Sequence, residues 1–467
     1  MKRMMSAREI ALAVVLGTVS SLAAGQQPAT SSGEPTDSGV QRQTPAPAVS
    51  GVIGMGDAVE QEDTSQTLPQ VPELLGGQGT TMTLPSEVIA NYLRAGINVE
   101  AAYDDNALLS EHDQVGSTIF SVFPNVAIGQ SRSRLRWDLG YAGGLSVVER
   151  LSSRNQGSHS LDFSIEGRVS PHVTLRAEED FQLRSGVFAG NQDLGGGGNG
   201  LLITPLASQR LNRTTVEGNY HFALNDVAGA SGSFYDQHYG EVAGQSELID
   251  TRGETGSVFW LHRVFGRNWA GPSYRYQHLT YDPGAGISRT HSVLLVDTMT
   301  LSNRITLSGY IGPQRASNEA AASGGGTVSS SGWSVMGGVD GGWQNQRTSV
   351  SAGYSRSVAD GGGVIGAVRT HTIHGEARRQ IVGTWAISGG VTHGANSAVI
   401  GSSLGVNSAD NTSVHVSVDR NVGKNLGFRI GYAHEFQKQV NSGSESNADR
   451  NRVFVSLSYQ WARPLGN

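Results

Sequence analysis

The sequence predicts an all-β fold: a transmembrane, antiparallel up-and-down β-barrel of about 18 strands behind a disordered N-terminal tail. Three observations carry the prediction. From Tyr92 onward the hydrophobic period is two. The alternating segments run about 11–13 residues, where globular strands average about five or six and tilted membrane strands need about nine to eleven. The connections between them alternate short and long, as in barrels with short turns at one end and longer loops at the other.

Composition is consistent with this. The chain has 467 residues, 37% hydrophobic, with 63 glycines and no cysteine. Beyond the N-terminus no run approaches the roughly 18 apolar residues that a spanning helix needs. A barrel explains modest hydropathy, because only alternate residues meet lipid. The absence of cysteine excludes disulfides and a lipid-modified cysteine anchor. A formal net charge of −6 argues against general nucleic-acid binding.

Residues 1–25 read as a signal peptide. Lys2, Arg3 and Arg8 precede "IALAVVLGTVSSLAA", and small residues suit cleavage after Ala23 or Gly25. Residues 26–85 are rich in Pro, Ser, Thr, Gln and Gly, and no aromatic residue occurs before Tyr92. Such a segment buries too little apolar area to offset its ordering entropy, so it is expected to be a disordered periplasmic linker. "PSEVIANYL" (Pro85–Leu93) could add one helical turn. The barrel is expected over residues 86–467.

Candidate strands lie near 92–103, 117–129, 131–143, 157–169, 172–184, 212–224, 227–239, 253–265, 268–281, 288–298, 303–313, 331–343, 347–357, 368–380, 383–393, 410–420, 425–437 and 449–461. Short connections such as "VSPH", "FGRN", "LSNR" and "VGKN" alternate with long ones at 104–116, 185–211, 240–252, 314–330, 394–409 and 438–448.

The faces identify the two solvents. "WSVMGGVDGGW" puts Trp333, Val335, Val339 and Trp343 on one side and Asp340 on the other. Ten steps of about 3.3 Å, tilted by about 40°, project to about 25 Å, the height of a lipid-facing band. Trp333, Trp343, Trp385 and Trp461 are therefore expected in the membrane-interface girdles, where indole is half buried and its N–H stays wet. Arginine at the bilayer midplane costs about 2–4 kcal/mol, so charges on the opposite parity should face a wet lumen. The lumen-lining candidates are Arg94, Glu100, Arg134, Arg136, Asp138, Asp162, Glu166, Arg168, Arg176, Glu178, Arg429 and Glu435. Two segments are muddled: 253–265 is apolar on both faces, and Trp269 shares a parity with Arg275. A bulge or a boundary error is the expected cause.

Several motifs point elsewhere only superficially. "GSSLG" (Gly401–Gly405) lacks the strand-to-helix turn of a nucleophile elbow, and "GGGGNG" (Gly195–Gly200) lacks a surrounding βαβ unit. His371 and His374, three apart on a strand, should point to opposite faces and share no metal. Glu178 and Asp180 could form an acid/base pair, but Arg176 and Arg184 on the same face favour ion pairing. Asp104, Asp105, Asn106 and Asp113 offer oxygens for Ca²⁺ without EF-hand spacing, and a solvated loop is the preferred reading. In 185–211, glycines beside Leu201, Leu202, Ile203 and Leu206 leave two readings, an ordinary disordered loop or a loop that folds into the channel, held by Arg184 and Arg210.

The final strand, "NRVFVSLSYQW", resembles the C-terminal assembly signal of outer-membrane barrels, although "ARPLGN" follows its aromatic end. "INVEAAYDDNALLS", with Tyr103, Asp104, Asp105 and Asn106, resembles the opening of the β-barrel porin family associated with exopolysaccharide loci. The resemblance implies a bacterial outer-membrane location with both termini periplasmic. It implies a lipid bilayer with lipopolysaccharide as surroundings, the barrel-assembly machinery as inserting partner, and a periplasmic partner as a candidate for the tail. It assigns no substrate; from the residues themselves no nucleic acid, no cofactor, no metal and no enzyme activity is expected, and the oligomeric state is left open.

The first functional expectation is a porin-like channel or conduit for polar solutes or glycans, because acids and arginines are mixed along the inward parity. The second is a structural or surface-exposed barrel partnering with envelope polysaccharide export. A barrel hydrolase ranks below both, since no catalytic residues could be assigned.

Overall fold

The computed structural model describes residues 91–151, 155–185, 208–240, 248–282, 286–321, 327–361, 365–399, 406–441 and 444–465. The predicted signal peptide, the linker, the start of the suggested helical turn, both glycine motifs and most of 185–211 lie outside these residues.

Eighteen strands follow in order: β1 (Tyr92–Asp104), β2 (Ser117–Ser131), β3 (Leu135–Val148), β4 (Gln156–Arg168), β5 (Val173–Ser185), β6 (Ser208–Ala223), β7 (Asp226–Tyr239), β8 (Asp250–Phe265) and β9 (Asn268–Asp282) form the first half. The second half comprises β10 (Gly286–Ser302), β11 (Ile305–Ala321), β12 (Thr327–Gln344), β13 (Thr348–Gly361), β14 (Ile365–Val382), β15 (Trp385–Ala398), β16 (Val406–Val422), β17 (Leu426–Asn441) and β18 (Ser444–Pro464). Each strand pairs antiparallel with its sequence neighbour, and β1 pairs with β18 from Tyr92↔Pro464 to Asp104↔Arg452. The sheet therefore closes into a barrel.

Both ends of the barrel wall lie at the short-turn rim, where the Leu465 N–H donates to the Asn91 carbonyl at 2.9 Å. Gly383 and Gly423 take positive φ in two of those turns. At the opposite rim the strands run further than the sequence predicts. Much of 314–330, 394–409 and 438–448 is extended hairpin rather than loop. The reason is physical: "SNEAA", "TVSSSG" and "SESNADRN" are polar or small on both parities, so no hydrophobic alternation marks them as strand.

Side chains divide by parity. Ile97, Val99, Tyr103, Val335, Val339, Ile430, Tyr432, Val453, Val455 and Leu457 are exposed on the outer face. Their neighbours Asn98, Glu100, Ala102 and Asp104 on β1 alternate inward and are half-buried or buried. Inverting the usual inside-outside rule this way places lipid as the solvent of the outer face.

The muddled segments resolve without a change of parity. Val258, Trp260 and His262 of β8 face outward; Phe259 and Leu261 face inward and are buried. Trp269 faces inward with Arg275. They belong to an apolar cluster on the inner wall of β7–β12: Val227, Phe259, Leu261, Trp269, Leu294, Val296 and Met336, with Tyr310 packed against it. The expected irregularity is present as a register shift between Arg263 and Phe265 of β8, and the wall itself is apolar on both faces.

That wall is also buckled. Pro272 and Pro313 interrupt β9 and β11 on the outer face, and pairing lapses beside each. A Cβ on the preceding Gly271 would lie 1.9 Å from the Trp260 carbonyl oxygen, and one on Gly312 1.9 Å from that of Val293. Only glycine admits so close a backbone approach.

Candidate functional site

The inward face of the barrel is the candidate site, and it has two unlike sides. One is the apolar cluster of β7–β12. The other, on β1, β3–β6, β14 and β16–β18, is charged. Arg176 pairs with Glu178 along β5. Arg136 meets Asp138 at 3.2 Å, and Asp138 Oδ1 accepts the Tyr92 hydroxyl at 3.1 Å. The Arg94 guanidinium lies over the Tyr92 ring at 4.4 Å. Arg429 pairs with Asp419, which Arg378 also approaches at 3.4 Å. Arg176 and Glu178, like Arg136 and Asp138, stand two residues apart on one strand, and Arg429 lies directly across from Asp419; Arg378 and Tyr92 reach over one intervening strand.

Near the loop-side rim the charges are buried. Arg452 donates to Glu100 at 2.8 Å. Arg450, 3% exposed, pairs with Glu435 and lies 3.8 Å from Asp104. Two arginines and three carboxylates thus interlock β1, β17 and β18.

Most sequence-predicted lumen residues fall on the inward parity. These are Arg94, Glu100, Arg136, Asp138, Asp162, Glu166, Arg168, Arg176, Glu178, Arg429 and Glu435. Arg134 does not: it is exposed in the turn ahead of β3, because β3 starts later than the alternation suggested. Arg210 faces outward and meets Asp236 at 3.7 Å, so it is not placed to hold a loop against lumen acids. Asp180 contacts the Gln182 amide at 2.9 Å.

Trp333, Trp343, Trp385 and Trp461 all lie on the outward parity. Trp333 is 73% exposed, and the Arg420 guanidinium lies over the Trp385 ring at 4.9 Å. Sequence reading missed a second outward feature. Tyr141 Oη and His159 Nδ1 lie 2.9 Å apart, Tyr274 and His291 2.8 Å, and Tyr354 and His371 3.0 Å. Each pair joins the two strands of a loop-side hairpin. A tyrosine followed 17 or 18 positions later by histidine is the signal that marks them.

His371 and His374 are divided between the faces: His374 is inward, 3.4 Å from Asp340. Asp104, Asp105 and Asn106 hold neighbouring chain atoms. Asp104 Oδ1 accepts the Asn106 N–H at 3.0 Å, and the Asn106 amide donates to the carbonyls of Ser110 and Asp449 at 2.8 Å each. Asp113 donates its N–H to the Ser110 hydroxyl at 3.3 Å. Among the described residues no group of three or more His, Cys, Asp or Glu is placed to hold a metal ion.

No protein-family model matches the chain. No curated protein matches it either. Among solved structures it is similar to OccK2 (OpdF) of Pseudomonas aeruginosa, at 10% identity and a TM-score of 0.41, covering 79% of this chain and 98% of that one. It is similar to the outer membrane protein OpdK of the same organism at 13% identity and a TM-score of 0.39, covering 79% and 99%. The ferric citrate transporter FecA aligns at 9% identity and a TM-score of 0.43, covering 80% of each chain. Likenesses at this level carry no argument about the solutes or partners of this chain.

Proposed function

We propose that the chain is a bacterial outer-membrane channel of porin type, with both termini in the periplasm, that passes polar solutes, glycans among them. One observation carries the reading: a closed ring of strands bears paired charges inside and aliphatic and aromatic side chains outside. Mixed charges hold water and favour polar cargo over one ion sign. An apolar exterior crossed by tilted strands favours a bilayer.

Single-channel recording on refolded protein tests this. Steady conductance with weak ion selectivity is expected, and Asp419→Asn should move selectivity toward anions. Silent bilayers containing heat-modifiable, folded protein would count against it. They would favour the second reading, a structural barrel partnering with envelope polysaccharide export, which the buried inner wall of β7–β12 supports by narrowing the passage. Catalysis as a barrel hydrolase ranks below both.

A further inference from the structure

One junction in the ring is incomplete. β11 and β12 pair along their whole length, from Ile305↔Trp343 to Ala321↔Thr327. β13 and β14 likewise pair to their tip, at Gly361↔Ile365. Between them, β12 and β13 pair only from Gln344↔Ser349 up to Gly337↔Arg356. Above that rung the two strands part. β12 continues as Thr327–Met336 and β13 as Ser357–Gly361, each with a partner on one side only.

The β13–β14 hairpin takes other partners at its tip. Val358 and Ala367 are buried in one cluster with Ile249, Leu279 and Tyr281, and Val399 packs against it. Leu279 and Tyr281 are inward residues of β9, which lies several strands away around the wall. The cluster therefore reaches across the loop-side mouth. Inward polar residues beneath it are buried too: Gln277, Ser288, Thr290 and Ser292 on β9 and β10, and Thr370 and Thr372 on β14.

The parity of the buried residues is unexpected. Val358 shares the parity of Tyr354, and Ala367 that of Ile373, both exposed on the outer face. Continuing the β12–β13 register would set Met336 against Ser357 and Val335 against Val358. Val335 is outward and 52% exposed. Paired with it, Val358 would join the apolar belt, where its side chain is equally suited. The same valine thus fits the cluster across the mouth and the completed seam.

We propose that the β13–β14 hairpin is a gate. Packed on β9 it closes the mouth and leaves the β12–β13 seam parted; zipped onto β12 it completes the wall and clears the mouth. The inference rests on the channel reading for its consequence, and on the pairing pattern for its existence.

The chain has no cysteine, so introduced pairs report cleanly. Val335→Cys with Val358→Cys should cross-link in refolded, bilayer-inserted protein under mild oxidant. It should do so more slowly than the control Val339→Cys with Tyr354→Cys, which stands on an existing rung. The cross-linked form should conduct several-fold more than its reduced form, and reductant should reverse the gain. Leu279→Gln, which loosens the cluster without touching the seam, should accelerate the cross-link. Failure of the seam pair to cross-link while the control does would overturn the gate. Cross-linking to completion with unchanged conductance in a protein that conducts would overturn it as well. Cross-linking that Leu279→Gln accelerates, in a protein that never conducts, would uphold the two positions and overturn the channel reading instead.

Discussion

Asp105 and Asn451 stand 346 positions apart and lock together where the first strand meets the last. Asp105 Oδ2 accepts the Asn451 side-chain amide at 2.7 Å, and its Oδ1 accepts the Asn451 backbone N–H at 2.7 Å. Tyr432 donates its hydroxyl to Asn451 Oδ1 at 2.7 Å, which orients the amide. The Asp104–Asp105–Asn106 run is thus a clasp on the closing seam of the barrel.

Asp105→Ala removes both bonds of the clasp and leaves two donors at the seam. A charge-assisted pair of this kind contributes on the order of 1–3 kcal/mol. Asp105→Ala should lower the urea midpoint of the refolded barrel. Asp105→Asn should do the same, since its amide cannot accept from two donors with both atoms. An unchanged midpoint in both variants would show that the clasp adds nothing.

Arg450 is buried between Glu435 and Asp104. Removing one partner of such a group strands the other charges in a dry site, at a cost of about 3–5 kcal/mol. Arg450→Met is therefore expected to unfold far more readily than the parent. Combining it with Glu435→Gln should recover part of the loss. If the double variant is no better than the single one, the stranded carboxylate is not the cause.

Val416 faces outward and is exposed within the belt, whereas His415 beside it faces inward. Val416→Arg should cost about 2–4 kcal/mol of folding stability in bilayers, while His415→Arg, which puts the charge on the inner face, should cost less. Equal effects on parallel denaturation curves would contradict lipid as the outer solvent.

Gly353 opposes Asp340 on the inner face. A Cβ there would lie 2.0 Å from Asp340 Oδ1 and 2.5 Å from His374 Cε1. Gly353→Val should separate that pair and destabilise the barrel by roughly 1–3 kcal/mol through overpacking. The reading fails if Gly353→Val and Gly353→Ala both melt with the parent.

The sequence by itself determined the strand count, the two faces, the tryptophan positions and most of the inward charges. Lipid and water select alternate residues, and a period of two is a local signal that survives in a single chain. "RSRLRWDLGY" sorts Leu135, Trp137, Leu139 and Tyr141 from Arg136 and Asp138 with no knowledge of neighbours. Where both parities are polar or small that signal vanishes, so the extended hairpins at the loop-side rim read as loops. The tertiary structure alone decided which charges meet, because register fixes Arg429 beside Asp419 and closure brings Asp105 to Asn451. It alone showed that Val227, Phe259, Leu261 and Trp269 form an apolar inner wall, since a strand apolar on both faces reads locally as an error of phase. The parted β12–β13 seam was likewise illegible: Val358 has the alternation of a lipid-facing residue, and only contacts from β9 across the mouth draw it inside.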